Sequence, residues 1–367
     1  MEVKYLGLTQ QFNDESLFSV IREGLQRGQF ILGPEVQSFE SRFAKFCGAD
    51  YALGLNSGTD ALFFALKALN IGTGDEVITV PNTFVATVGA IVQTGAKPVF
   101  VDVNEEYNMD VHLIEEVITE KTKAVLPVHL TGNPCDMPGI LDIAKRHSLY
   151  VIEDAAQAVG ASIKGKLVGS FGTAGCFSLH PLKNLNVCGD GGVLVTNSKA
   201  IYEKARLLRN HGLKNRDEVE LYGFNSRLDT LQAIIANWVM DQLNFITEAR
   251  IKNAKKYDEA LSGMSPFIKI PPRRDDVRQV FHTYVIQAMD RDRLMVFLGQ
   301  NGIETKVHYP IPIHLQKASK YLGYKEGDFP VCEKQAEEIL SLPIHQYLGK
   351  EQLDYVIDRI KKFYNRL

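Results

Sequence analysis

The stretch YALGLNSGTDALFFALKALNIGTGDEVITVP, residues 51–81, decides the fold. It opens on an apolar run and passes into a segment where Leu62, Ala65, Leu66 and Leu69 recur at helical spacing. It then closes on a second run, EVITVP. Strand, helix and strand in that order make one β/α unit. Five further runs carry the alternation to residue 197: KPVFVDV, KAVLPVHL, LYVIED, GCFSLH and GGVLVTN. Helical stretches lie between them, one of them over residues 137–147 with Asp136 at the N-cap position. Such alternation builds a mostly parallel sheet covered by helices on both faces, with ligands bound at the carboxyl ends of the strands.

Beyond residue 199 the pattern changes. Residues 228–261, which include Trp238, read as one or two helices, and Pro266, Pro271 and Pro272 mark a linker-like piece over 265–278. A smaller α+β unit follows, with FHTYVIQAM as a strand, DRDRLMVFLGQNG as a helix ending in glycine, and an amphipathic helix from about Lys350. At roughly 150 residues per domain, 367 residues make two or three packed units. We divide the chain into a large unit, 1–250, that includes the N-terminal segment, and a smaller one, 251–367.

The net charge of -3 provides no general attraction for nucleic acid or an anionic membrane, so an anionic ligand has to be held by a local site. Cys47, Cys135, Cys176, Cys188 and Cys332 show neither a CxxC pair nor ligand-like spacing with histidine, which argues against a disulfide framework and a metal site. The opening MEVKYLGLTQQFNDES has no apolar signal segment, and no run approaches spanning length. These features lead us to expect a cytoplasmic protein.

Three constellations have chemical potential. Ser57-Gly58-Thr59-Asp60-Ala61 follows a strand and opens a helix, where free amides and the helix dipole suit a phosphate; an ordinary capped helix start would look the same. Asp154 ends the apolar strand LYVIED. It reads equally as a helix cap or as a sheltered carboxylate needing a cation, such as a protonated pyridine nitrogen. Lys183 lies in a turn hemmed by Phe177, Leu179, Pro181, Leu182 and Leu185, a setting that lowers an amine's pKa and frees it for Schiff-base formation. Taken alone, a lysine in such a turn is more often structural.

The three occur in the chain order phosphate cradle, aspartate, lysine on successive strand ends. With FILGPEVQSFE, SGTDAL, VPNTFVAT, VIEDAAQAVGA, CFSLHPLKN, GDGGVLVTN, LRNHG, GFNSRLDTLQA and HYPIPIHLQ, the chain resembles the DegT/StrS group of sugar aminotransferases over nearly its whole length. That group lies within the aspartate-aminotransferase-like, fold-type I pyridoxal-phosphate enzymes. The resemblance implies a large domain with a mostly parallel seven-stranded sheet flanked by helices, plus a smaller C-terminal α+β domain.

The resemblance further implies that Lys183 forms the Schiff base with pyridoxal 5'-phosphate and that Asp154 pairs with the pyridine nitrogen. Gln157 would contact the ring hydroxyl, Phe84 would stack on the ring, and Gly58, Thr59 and Ser178 would hold the phosphate. Asn225 would reach the phosphate of a neighbouring subunit's cofactor, implying a homodimer with shared active sites. Phe84, Ser178 and Asn225 also read as core, strand hydroxyl and turn residue respectively. His308, Tyr309 and His314 would lie on a substrate-facing loop; the intervening Pro310 and Pro312 forbid a helix and so reject a zinc helix motif there.

The implied reaction is transfer of an amino group from L-glutamate, through the pyridoxamine 5'-phosphate form, to a nucleotide-linked keto-deoxysugar. Similar HYP segments occur in members of that group acting on the 3-keto position, so the resemblance implies a 3-keto-6-deoxyhexose, dTDP-linked, with a 4-keto sugar as the alternative. A related sugar dehydratase would replace Lys183, typically by histidine. A regulatory sensor would carry an added recognition element, and no basic helix-turn-helix stretch stands out. A nicotinamide oxidoreductase would need GxGxxG after the first strand, whereas the dense glycine cluster is Gly189, Gly191 and Gly192.

Overall fold

The computed structural model describes residues 1–365. Its centre is a seven-stranded sheet built from all seven apolar runs. The strands are β1 (Tyr51–Leu55), β2 (Glu76–Thr79), β3 (Lys97–Phe100), β4 (Thr122–Val125), β5 (Tyr150–Asp154), β6 (Ala174–Ser178) and β7 (Gly192–Thr196). Their spatial order is β1-β7-β6-β5-β4-β2-β3. Neighbours from β6 to β3 run parallel, and β7 runs antiparallel to both β1 and β6. Helices cover both faces, so strands such as β2, β6 and β7 are buried at every position and lack polar alternation.

The α-helices of nine or more residues follow in chain order, preceded by the short helix Leu8–Phe12. They are α1 (Glu15–Arg27), α2 (Pro34–Cys47), α3 (Gly58–Ala68), α4 (Val85–Gln93), α5 (Met137–Arg146), α6 (Lys199–Arg209), α7 (Thr230–Leu261), α8 (Arg291–Gln300), α9 (Pro330–Glu338) and α10 (Lys350–Tyr364). Asp136 caps α5 as expected, its carboxylate accepting from the Gly139 amide at 3.2 Å. On one side of the sheet α3 buries Leu62, Phe64, Ala65 and Leu66 with Ile91 of α4; on the other, Phe39 and Phe43 of α2 pack with Ala233, Ala236 and Val239 of α7.

Residues 228–261 resolve into the single 32-residue helix α7, starting at Thr230. The division expected at residue 250 falls inside it. Its first part enters the core under the large sheet; Ala254, Tyr257 and Leu261 enter a third core built on a separate sheet. That sheet joins β8 (Ile268–Lys269), β9 (Tyr284–Ala288) and β10 (Ile339–Leu342), all antiparallel. Val3, from the opposite end of the chain, bridges to Ile303 and is buried in the same core. Among the described residues no helix is long and apolar enough to cross a membrane.

Register brings chemistry to one edge of the large sheet. Asp154 at the end of β5 lies opposite Cys176 of the parallel β6, Ser178 at the end of β6 opposite Gly192, and Leu55 at the end of β1 opposite the same Gly192. The carboxyl ends of β1, β5 and β6 thus converge, as expected for a ligand site in a doubly wound sheet.

Candidate active site

Asp154 is 5% exposed and carries a carboxylate fully enclosed by protein. Its Oδ2 accepts from Thr87 Oγ1 at 2.7 Å and its Oδ1 from the Ala156 amide at 3.1 Å. Thr87 lies in the first turn of α4 and shares a 2.6 Å hydrogen bond with Thr83, so its hydroxyl is held in place. Burial pushes the Asp154 carboxyl above the ordinary value; the Thr87 hydroxyl, the Ala156 amide and the Lys183 charge pull it back. A carboxylate so placed is completed by a cation.

Lys183 follows β6, its amide donating to the His180 carbonyl at 2.8 Å. Burial draws its ammonium down to about 8, against the opposing pull of Asp154. Near neutrality an appreciable share of this amine is therefore unprotonated and nucleophilic, which an ordinary surface lysine is not.

The expected phosphate-binding residues come together at the start of α3. Ser57 caps the helix, its Oγ accepting from the Asp60 amide at 3.1 Å, while the amides of Gly58 and Thr59 lie in the first turn, which leaves its amides without intrahelical acceptors. A Cβ on Gly58 would stand 2.8 Å from Ser178 Cβ, so glycine is what lets β6 end against the helix start. Ser178, 9% exposed, presents its Oγ there, accepting from the His180 amide at 3.3 Å.

Gln157, Tyr309 and Phe84 make a third wall. The Thr131 amide donates to Gln157 Oε1 at 2.7 Å, which fixes the amide and leaves Nε2 to donate to the Tyr309 hydroxyl at 3.3 Å. Thr131 holds a left-handed φ of 61°, unusual for a β-branched residue. The Phe84 ring lies 5.9 Å from that of Tyr309, and Phe84 is 53% exposed although it precedes a buried helix. An aromatic left open beside a sheltered carboxylate is available to cover a planar ring.

His308 adjoins this wall, its Nδ1 within 2.9 Å of Ser341 Oγ. Burial, then the charges of Lys183 and Lys306, hold its imidazole down to about 4, so it is neutral in ordinary buffers. Two expected residues are placed apart. His314 is 1% exposed, with Nε2 at 2.9 Å from Glu333 and its ring edge-on to Phe329. Asn225 is exposed on the segment leading to α7, where its backbone bridges to Asn210.

Some supporting residues escaped the sequence reading. Thr83 and Thr87, four apart, put two hydroxyls on one side of the start of α4. Behind Asp154, the fully buried Glu153 accepts from the amides of Gly169, Phe171 and Gly172 and faces His129 Nε2 at 3.1 Å. The Cys135 amide donates to His129 Nδ1 at 3.0 Å, which assigns the ring proton to Nε2 and makes His129 a donor to Glu153. No spacing in the sequence marks this pair.

The residues fit pyridoxal phosphate. The enclosed Asp154 carboxylate lacks a bonded cation, the neighbouring amine is drawn toward neutrality, and the glycine-bearing helix start would be filled by a Cβ. Among the described residues no group of three or more His, Cys, Asp or Glu is arranged to hold a metal ion.

Residues 11–361 match the model of the DegT/DnrJ/EryC1/StrS aminotransferase family. The chain is 45% identical to a pleiotropic regulatory protein of Geobacillus stearothermophilus, over 99% of each chain. It is 40% identical to the dTDP-3-amino-3,4,6-trideoxy-alpha-D-glucose transaminase of Streptomyces venezuelae, over 95% of this chain and 92% of the relative. Its fold superposes with a TM-score of 0.97 on S. venezuelae DesV in complex with a ketimine intermediate, at 39% identity over 100% of this chain and 99% of that one.

Proposed function

The chain belongs to the DegT/DnrJ/EryC1/StrS aminotransferase family, and from that premise we propose that it carries an amino group from L-glutamate to the 3-keto carbon of a dTDP-linked 6-deoxyhexose. It is a pyridoxal-phosphate-dependent transaminase. The observation that carries the transaminase reading is the buried Lys183 amine, drawn down to about 8 and within electrostatic reach of the buried Asp154 carboxyl; the sugar position is supported by the 3-amino-sugar transaminase among the relatives.

When bound, the cofactor supplies an aldehyde for amine exchange and a conjugated ring that takes up the electron pair left as a proton leaves the donor's α-carbon. Asp154 would hold the proton on the ring nitrogen, its charge supported by Thr87 and the Ala156 amide. Gln157 Nε2, oriented by Thr131, would donate to the ring hydroxyl, and Phe84 would cover the ring face. Gly58, Thr59 and Ser178 would hold the phosphate through amides and hydroxyls at the start of α3. Lys183 would hold the cofactor through its amine and, once that amine is free, would act as the base and acid that moves the proton of the donor carbon. Two half-reactions through one site give ping-pong kinetics.

His308 and Tyr309 face the sugar in this reading, and His314, tied to Glu333, supports their loop. A homodimer with shared sites is supported by the exposed segment around Asn225: Tyr222 is 98% exposed and Phe224 43%, apolar surface that a second copy would cover. Asn225 would then reach the partner's phosphate. The five free cysteines accord with a cytoplasmic setting.

Incubating the enzyme with L-glutamate and a panel of 3-keto and 4-keto nucleotide sugars tests the proposal, with amino-sugar formation followed by mass. Conversion confined to 4-keto compounds would overturn the assigned position. A second reading, regulation, rests on the printed names of relatives such as the Geobacillus protein and on no residue of the site. Turnover of any keto-sugar at enzymatic rates would make regulation at most an added role.

A further inference from the structure

Gln279 lies half-buried on the segment between β8 and β9, and both ends of its carboxamide are engaged. Arg273 Nη1 donates to its Oε1 at 3.1 Å, and its Nε2 donates to Thr131 Oγ1 at 3.1 Å. A guanidinium has no acceptor, so the oxygen must face Arg273 and the nitrogen Thr131. Arg273 is itself fixed. Its Nε and Nη2 donate, at 3.0 and 2.9 Å, to the two carboxylate oxygens of Asp258 near the end of α7.

Thr131 passes this order on to the site. Its amide donates to Gln157 Oε1 at 2.7 Å, and a backbone N–H can only donate, so the Gln157 oxygen is kept on that side and Nε2 is turned toward Tyr309. That nitrogen carries two N–H groups, of which the Tyr309 hydroxyl takes one. Thr131 works from a left-handed backbone, φ 61° and ψ 1°, which a β-branched residue holds only where its surroundings fix it. Residues 279 and 280 supply that fixing. Besides the Gln279 contact, the Val280 amide donates to the Gly132 carbonyl at 3.0 Å, and a Cβ on Gly132 would stand 2.7 Å from Val280 Cγ2. The Val280 carbonyl in turn accepts from Asn184 Nδ2 at 2.9 Å, one residue beyond Lys183. One short segment therefore supports the neighbours of both Gln157 and Lys183.

We propose that Gln279 is a positioning residue for the transamination, aiming the Gln157 amide through Thr131. This rests on the reading above, which gives Gln157 the ring hydroxyl of the cofactor, and adds the residue that keeps the amide on that task. Without Gln279 the Thr131 hydroxyl loses its donor, the left-handed turn loosens, and the Gln157 amide is free to swing. A donor aimed at the ring oxygen favours the form in which that oxygen is negatively charged. A poorly aimed one lets the bound cofactor keep its proton to higher pH.

Gln279→Ala, Gln279→Met, Gln157→Ala and the double variant Gln157→Ala/Gln279→Ala, compared as holoenzymes, provide the test. The visible absorption of the bound cofactor is titrated with pH. Gln279→Ala and Gln279→Met should each raise the midpoint by roughly half a unit, the scale of one misdirected neutral hydrogen bond, and Gln157→Ala should raise it further. In the Gln157→Ala background, removing Gln279 should add nothing, because its effect runs through that amide. Urea midpoints of the apoproteins should stay near that of wild type, which separates misdirection from a loosened fold. An unmoved pH midpoint in Gln279→Ala beside a raised one in Gln157→Ala overturns the relay and leaves the site reading standing. A Gln279→Ala shift that persists at full size in the double variant also overturns it, as does a shift that merely tracks lost urea stability. A midpoint unmoved in Gln157→Ala removes the ring contact itself, and the assignment of Gln157 falls together with the relay. Should Gln279→Ala fail to fold, Gln279→Met, which keeps the bulk and lacks the N–H, is used in both backgrounds.

Discussion

Thr87 donates to Asp154 across a gap of 2.7 Å, from the first turn of a helix to the last residue of a strand that is remote from it in sequence. That hydroxyl is a main counterweight to burial, which on its own drives the carboxyl toward its neutral form. Hydrogen bonds to charged groups contribute about 1.5–3 kcal/mol. Thr87→Val should therefore weaken cofactor binding on the order of tenfold or more, read by fluorescence titration. Asp154→Asn, which cannot hold the ring proton by charge, should lower kcat far more than Thr87→Val does. Equal effects would mean that Asp154 acts through its hydrogen bonds alone.

In the proposed reaction, Lys183 is the group on which turnover depends. Positioned acid and base groups contribute roughly 10²–10⁴-fold, and loss of the nucleophile adds to that. Lys183→Ala should drop kcat by at least ~10⁴. After borohydride treatment and digestion, the wild type should show the cofactor's mass on the peptide containing Lys183. A labelled peptide elsewhere in the chain contradicts the assignment.

Gly192 is where the start of α3 is packed most tightly against the sheet. A Cβ there would lie 2.1 Å from the Ser57 carbonyl oxygen and 2.5 Å from the Gly58 amide nitrogen, both backbone atoms that cannot swing away. Gly192→Ala should cost about 1–3 kcal/mol or more through overpacking, and should loosen the cofactor by moving the start of α3. Urea unfolding of the apoprotein and cofactor titration measure the two effects separately. Gly263→Ala, where a Cβ meets nothing within 4 Å, serves as the control.

Acid should destabilise the fold through two histidines. His308 and His345 are both held down to about 4, burial being the first cause in each. A base with a lower pKa folded than unfolded binds fewer protons when native, so its contribution is present above the unfolded value of 6.5 and is lost as pH falls toward about 4. Each histidine accounts for up to ~3 kcal/mol at the lower end. His345→Gln should flatten the stability curve between those limits, as followed by urea melts at a series of pH values. A slope unchanged from wild type would remove His345 from this account.

The large sheet was legible because its strands are short, apolar and separated by helices of clear period, and each quoted run became a strand. Direction was less legible: β7 is as apolar as its parallel neighbours, and nothing within GGVLVTN marks its reversal. At the site, residues adjoining a glycine-rich turn or ending an apolar strand declared themselves, as Gly58, Asp154 and Lys183 did. Residues acting across long sequence separations did not. Gln279 adjoins PPRRDDVR, a charged stretch that reads as linker, while its partner Thr131 is 148 positions away. Glu153 is silent for a similar reason, since its partners are backbone amides of a loop that any sequence would supply.

The long helix α7 is shared property. Its early turns are fixed in the packing under the parallel sheet and its late turns in the antiparallel unit, without a break over 32 residues. At 1.5 Å per residue it is a strut of about 48 Å. Moving one core relative to the other has to bend that strut, so the two cores are mechanically coupled and the segment bearing Tyr309, which borders the site, is the part left to adjust as reactants pass. Stiffening that segment, by a cross-link or by proline, would throttle traffic through the cleft while leaving its chemistry intact.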